Sequence, residues 1–308
     1  MNAAIRAVVR TSIFYHRNIF GIYRGFDGLI EGDFVEMNAK SVNKILNLGG
    51  TMLKSARSDA FRTEEGRKKA FEKVSEAGIE ALIAIGGNGT FTGAHVFQEE
   101  YDIPVIGIPG TIDNDLFGTD FTVGYDTATN TVIESVDKIR DTASSHNRLF
   151  IIEVMGRDAG FIALRTGLAT GAMAVILPEK NFTIDHLISE INRGASNKKT
   201  SNIVIAAEGN QLGDSFSIAK QLMKHFPQLD CKVTILGHIQ RGGSPSCFDR
   251  ILASRLGVAS VEGILNDRSD VMVGMVNDEL QYTNLQLAVQ NKAQLDNELL
   301  RISKILSI

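Results

Sequence analysis

Short apolar runs alternate along this chain with stretches of helical period, and most of the runs end in glycine and polar residues. Runs at 80–85, 104–108, 149–154, 174–177, 203–207 and 233–236 read as strands. Helical spacing fills intervals at 127–141, 184–193, 215–225 and 249–265. That alternation leaves few folds open. A parallel strand pair needs a crossover long enough for a helix, so the pattern predicts an α/β fold with mainly parallel sheets. Ligands in such sheets sit beyond the carboxyl ends of the strands, where this chain concentrates its polar clusters.

The remaining segments fit around that frame. Residues 1–10 have helical spacing with no strand before them. Residues 19–23 read as a short strand, and Gly21, Gly25 and Gly28 punctuate the loops there. A helix is expected over 41–48, stopped by Gly49-Gly50, with a basic loop over 51–57. Thr63 is a natural N-cap for a helix with Glu64 and Glu65 in its first turn and a stop at Gly78. A strand at 271–276 and a C-terminal helix close the chain.

Two clusters carry most of the chemistry. Gly86-Gly87-Asn88-Gly89-Thr90 lies between the strand at 80–85 and a helix expected over 91–99. A glycine-rich helix start offers backbone N–H groups and the positive end of the helix dipole to a phosphate. It is neither a dinucleotide fingerprint nor a Walker lysine motif, and such turns are common. Pro109-Gly110-Thr111-Ile112-Asp113-Asn114-Asp115 sets two carboxylates and a hydroxyl just past a buried strand, although the same residue types also make ordinary polar turns. Arg157, Glu208 and His238 stand at three further strand ends, and Gly237-His238-Ile239-Gln240-Arg241-Gly242-Gly243-Ser244-Pro245 is a second dense loop. Taken singly, Arg62 and Arg241 read as solvated arginines, His238 as a structural histidine and Glu208 as a turn cap. Asp126, Asp141 and Asp249 are expected to be structural.

Charge and cysteine content narrow the function classes. The 308 residues have a net charge of −4 with both signs mixed, and no basic block points to nucleic acid or an anionic membrane. No apolar run reaches the roughly 18 residues of a spanning helix, and the first residues lack a secretory pattern. Cys231 and Cys247 lack the close spacing of a zinc or redox pair, so a cytoplasmic setting is expected.

Taken together and in order, the Gly86–Thr90 cluster, the 109–115 stretch, Met155-Gly156-Arg157 and the 237–245 loop resemble the bacterial ATP-dependent 6-phosphofructokinase family over nearly the whole chain. The resemblance implies two Rossmann-like domains with the active site between them. Residues 1–123 plus 240–290 would bind ATP, and 124–239 plus 291–308 the sugar phosphate. It implies that Asp113 takes the proton from the 1-hydroxyl of fructose 6-phosphate, that Asp115 and Asn88 hold Mg²⁺, and that Thr111 and Arg57 stabilise the phosphoryl group in flight. Arg62, Gly87, Gly89, Thr90 and Gly93 match nucleotide-contacting positions. Met155, Gly156, Arg157 and Glu208 would bind the fructose. Arg148, Lys232, His238 and Arg241 would hold its 6-phosphate, Arg148 from a neighbouring subunit, which implies a homotetramer. Pyrophosphate-dependent relatives usually carry Asp at the position of Gly89 and Lys at that of Gly110, so ATP is the expected donor.

Three departures from the family pattern are legible. Asn88 stands where the family normally has Asp, which removes a negative charge near Mg²⁺. Lys232 stands where Arg is usual, keeping the charge and losing the planar fork. The family's first strand and Gly-rich loop come before its Met-Asn-Ala-Ala-Ile-Arg segment, which here is residues 1–6, so codons for that strand and loop are expected upstream of Met1. An effector site is implied by Arg6, Arg10, Arg140 and Lys199. Leu48, Met173 and Asn197 replace charged residues there, and altered allosteric control is expected. Two alternative functions stay open at this point: a catalytically weak sugar-phosphate-binding or regulatory homologue, and a kinase using pyrophosphate or another sugar phosphate.

Overall fold

The structure, a computed structural model, describes residues 1–143, 148–196 and 202–306. Its chain divides into two compact units. One comprises Met1–Thr111, Leu116–Gly124 and Gly243–Ala293; the other comprises Ile112–Asp115, Tyr125–Gly242 and Gln294–Ile308. In chain order the elements begin with α1 (Asn2–Phe14), β1 (Phe20–Ile22), α2 (Phe26–Glu31), β2 (Phe34–Glu36), α3 (Glu64–Glu76), β3 (Leu82–Gly86), α4 (Asn88–Tyr101) and β4 (Val105–Pro109). The second unit follows with α5 (Tyr125–Ala143), β5 (Arg148–Val154), α6 (Phe161–Ala169), β6 (Ala174–Ile176), α7 (Ile184–Ser196), β7 (Ile203–Ala207), α8 (Ser215–His225) and β8 (Asp230–Ile235). The chain returns to the first unit with α9 (Cys247–Leu265), β9 (Val271–Val276), β10 (Glu279–Asn284) and α10 (Leu285–Gln290), and ends with α11 (Asn297–Leu306) in the second.

Each unit is built on a four-stranded sheet. In the first the order is β10-β9-β4-β3, with β3, β4 and β9 parallel and β10 antiparallel at the edge. β4 is buried along its length, and its Ile106 and Ile108 pack with Ala3, Ala4 and Val8 of α1 and Leu252, Ala253 and Leu256 of α9. Small residues let those two helices meet: a Cβ on Gly257 would come within 2.5 Å of the Ala7 Cβ. The second unit holds a fully parallel sheet, β6-β7-β5-β8, in which every residue of β7 is buried. Leu187 and Ile191 of α7 and Ile218 and Leu222 of α8 pack on it. Each large aliphatic side chain taken from water contributes about 1.5–3 kcal/mol, so these two cores carry the fold.

Local signals set most boundaries. Thr63 accepts a hydrogen bond from the Gly66 amide at 3.1 Å and caps α3, and Gly78 takes φ +65° just past that helix. Residues 41–48 do not form the expected helix; they run as a series of turns. Asn38 accepts from the amides of Lys40 and Ser41, and Lys44 sits at φ +58°, which breaks a right-handed helix. The spacing still sends Val42 and Ile45 into the core beside Ile5 and Val9. α4 starts at Asn88 rather than 91, so the glycine cluster is its first turn. β8 lies over 230–235 rather than 233–236. The short strand β2, the helices α2 and α6, and the strand β10 were not anticipated. β10 pairs with β9 across Asn277-Asp278, both at positive φ, the geometry of a tight two-residue hairpin turn.

Candidate active site

The first unit presents a helix start and a strand end side by side. Gly87 is the N-cap of α4 in extended conformation, with no side-chain cap. The leading N–H groups of a helix have no intrahelical acceptor, so this start suits an anion. Gly87 also lies against Thr111: a Cβ there would come within 3.3 Å of the Thr111 Cβ. Nothing lies within 4 Å of a Cβ added at Gly89. Gly110 extends the ladder beyond β4 by donating to the Gly86 carbonyl at 2.8 Å, and the Thr122 hydroxyl holds the Thr111 carbonyl at 2.6 Å. Gly93 has a packing reason, since a Cβ would strike the Phe26 ring at 2.8 Å where Phe26 stacks on Phe61. Thr90 is half-buried in the first turn of α4. Arg57 and Arg62 are exposed on the preceding loop and turn, with Asp59 3.7 Å from Arg62.

Arg67 was missed by sequence reasoning. It forms a two-pronged ion pair with Glu100 at 2.6 Å on each prong. It also donates to the carbonyls of Phe61 and Arg62, at 3.2 and 2.8 Å. One guanidinium thereby ties α3, α4 and the turn that carries Arg62. Its partner gives the signal a spacing rule cannot: the two residues are 33 apart in sequence.

In the second unit Asp113 is 7% exposed, and Arg157 Nε lies 3.9 Å from its Oδ2. Arg157 belongs to a strained turn at the end of β5, with Gly156 at φ +141° and Arg157 itself at φ +52°. Glu208, at the end of the neighbouring strand β7, holds that turn: its Oε1 accepts from the amides of Arg157 at 2.7 Å and Gly156 at 3.3 Å. Gln240, 1% exposed, accepts from the Met155 amide at 3.2 Å and donates to the Gly237 carbonyl at 3.1 Å. It stood in the second motif without a role, and it links the end of β5 to the 3₁₀ turn Gly237–Arg241. His238 and Arg241 are exposed on that turn.

Arg148 and Lys232 lie at the other end of the same sheet. Arg148 opens β5 and Lys232 is near the start of β8, whereas Met155, Glu208 and His238 follow strand ends. Six strand steps from Arg148 to Val154 span about 20 Å. Of the expected effector residues, Arg6 is half-buried and Arg10 exposed on α1, and Arg140 of α5 donates to the Thr170 carbonyl. Lys199 lies outside the described residues.

A phosphofructokinase family model matches residues 1–264. The chain is 50% identical over 307 residues to an ATP-dependent 6-phosphofructokinase of Cytophaga hutchinsonii, covering all of this chain and 94% of that one. It is equally 50% identical over 308 residues to ATP-dependent 6-phosphofructokinase 1 of Thermus thermophilus, covering 95% of it. Among solved structures, phosphofructokinase from Saccharomyces cerevisiae superposes with a TM-score of 0.89 at 36% identity, over 94% of this chain and 43% of the yeast chain. A pyrophosphate-dependent phosphofructokinase from Marinobacter aquaeolei shares the fold, with a TM-score of 0.82 at 21% identity. The motifs, the two α/β units and the whole-chain identity agree, and the chain belongs to the phosphofructokinase family.

Proposed function

We propose that this chain transfers the γ-phosphoryl group of ATP to the 1-hydroxyl of fructose 6-phosphate, giving fructose 1,6-bisphosphate and ADP in cytoplasmic glycolysis. The observation that carries the reading is the nearly buried Asp113 beside Arg157, on a turn that Glu208 braces. A general base must be within reach of the hydroxyl it deprotonates, and Arg157 supplies positive charge where the phosphoryl group arrives. Met155, Gly156 and Glu208 shape the fructose subsite. His238 and Arg241 hold its 6-phosphate, with Arg148 and Lys232 completing that site. About 23 Å along β5 separates Arg148 from Met155, too far for one sugar phosphate to span, which supports a homotetramer whose sites borrow Arg148, and Lys232 beside it, from a neighbour. Arg6, Arg10, Arg140 and Lys199 are the proposed effector positions.

On the nucleotide side, Gly87, Gly89, Thr90 and Gly93 of the α4 start, with Arg57, Arg62 and Thr111, face the phosphates of ATP. Open space at Gly89 supports a nucleotide as donor. Mg²⁺ fits the donor set. It takes hard oxygen ligands, usually one or two carboxylates plus phosphate oxygens. Asp115 offers a carboxylate with a buried Oδ1 and Asn88 an amide carbonyl. Among the described residues no group of three or more His, Cys, Asp or Glu could hold a metal ion. When bound, Mg²⁺ neutralises charge on the β- and γ-phosphates.

The test is ADP release from ATP with fructose 6-phosphate. Asp113→Asn is expected to lower kcat roughly 10²–10⁴-fold while sugar-phosphate binding measured by calorimetry persists. Full turnover in that variant, or turnover of the wild type with pyrophosphate alone, rejects the assignment.

A further inference from the structure

One carboxylate with no assigned substrate contact stands between two cations of the phosphate subsite. Asp230 opens β8 directly opposite Arg148 in the parallel register of β5 and β8. Lys232 is two residues further along β8 and so projects from the same face. Asp230 Oδ2 accepts from Arg148 Nε at 2.8 Å, and its Oδ1 lies 2.8 Å from Lys232 Nζ. These two bonds, that from Lys232 contributing most, hold the Asp230 carboxyl below its usual range. Each contact occupies a single donor. A guanidinium has five N–H donors and an ammonium three, so most donors of both groups remain for an anion.

We propose that Asp230 is a positioning residue that braces Arg148 and Lys232 into one clamp for a phosphate monoester dianion. The proposal rests on the reading of this chain as a fructose 6-phosphate kinase and deepens it at the 6-phosphate. Lysine is a point charge on a flexible stem, while arginine meets phosphate with a preformed fork. Asp230, 2.8 Å from the Lys232 ammonium, holds that flexible stem in place before the ligand arrives. Part of the ordering of Lys232 is then done in the free protein and weighs less against binding. The three side chains are 34, 45 and 49% exposed, so water weakens the hold of Asp230 on both cations and leaves them able to turn to an incoming dianion.

Steady-state kinetics of Asp230→Asn and Asp230→Glu, with calorimetry of fructose 6-phosphate, tests this. Asp230→Asn is expected to raise KM and Kd for fructose 6-phosphate roughly tenfold, the scale of one hydrogen bond. KM for ATP and kcat at saturation stay within about twofold of wild type, a split that general unfolding would not produce. Asp230→Glu recovers part of the affinity. Lys232→Arg in the Asp230→Asn background recovers more, because the fork needs less bracing. An active wild type whose Asp230→Asn variant binds the sugar phosphate equally or more tightly overturns the brace and leaves the reaction standing. Failure of Lys232→Arg to recover affinity overturns it too. A wild type that neither binds nor turns over fructose 6-phosphate removes the brace and the proposed function together.

Discussion

Asn88 puts a neutral amide in the first turn of α4, where a carboxylate would add negative charge beside the proposed Mg²⁺ position. At water-like screening a unit charge about 4 Å from a divalent cation is worth about 2 kcal/mol. Asn88→Asp is therefore expected to lower the apparent Mg²⁺ requirement and the KM for ATP by up to roughly thirtyfold. Titrating turnover against Mg²⁺ reads the shift, and an unchanged midpoint rejects the role. Two glycines separate backbone need from ligand room. At Gly156, φ is +141° and a Cβ would lie 2.3 Å from the Ala159 carbonyl, so Gly156→Ala is expected to cost about 1–3 kcal/mol of stability in urea denaturation. Gly89 sits in a helix with open space around it, so Gly89→Ala is expected to raise stability by about 0.5–1 kcal/mol. If Gly89 lines the nucleotide subsite as proposed, the same substitution should weaken ATP binding, because the added methyl group would enter the open space there.

Among the elements, α4 does most to connect scaffold and site. Its start receives phosphate in the proposed function, and its end is tied to α3 through Glu100 and Arg67. The hydrogen bond from Arg67 is the main reason the Glu100 carboxyl titrates below its ordinary value of 4.5. A depressed carboxylate contributes stability above its unfolded pKa and loses it as pH falls through the lower folded value. The tie therefore weakens below pH about 4.5, and Glu100→Gln should flatten the acid limb of a stability–pH curve there while leaving its neutral-pH slope unchanged. The pair was invisible in sequence because two helices bring it together. The capping of α3 by Thr63 was legible because the bond spans three residues. The turns at 41–48 show the intermediate case. Val42 and Ile45 are buried in the core, but Asn38 and Lys44 decided the backbone path and the expected helix does not form.

At the scale of the molecule, the decisive geometry is the polarity of the second sheet. All four strands β6, β7, β5 and β8 are parallel, so residues after their carboxyl ends form one group and residues at their starts another. Met155, Glu208 and His238 belong to the first group, Arg148 and Lys232 to the second. The proposed shared site makes a prediction that a self-contained subunit does not. Asp113→Ala and Arg148→Ala, each nearly inactive alone, should regain activity when unfolded and refolded together, because mixed assemblies contain sites with both residues intact. Activity that stays at the level of the separate variants counts against borrowing. Among the described residues no helix is long and apolar enough to cross a membrane.

The chain by itself determined its α/β class, the strands that end in chemistry, and the family, because these depend on residue type and short-range spacing. The 109–115 stretch, the glycine cluster at 86–90 and the 237–245 loop are all contiguous, and contiguous signals survive in a linear text. Only the tertiary structure decided that Glu208 braces the Gly156–Arg157 turn, that Gln240 fastens β5 to the 3₁₀ turn, and that Asp230 joins Arg148 to Lys232. In each of these, a polar side chain meets a partner set by sheet register or by the packing of distant segments. Those placements come from burying Ile151, Ile152 and Ile205 in a parallel sheet, a cooperative event that no single stretch of the chain encodes.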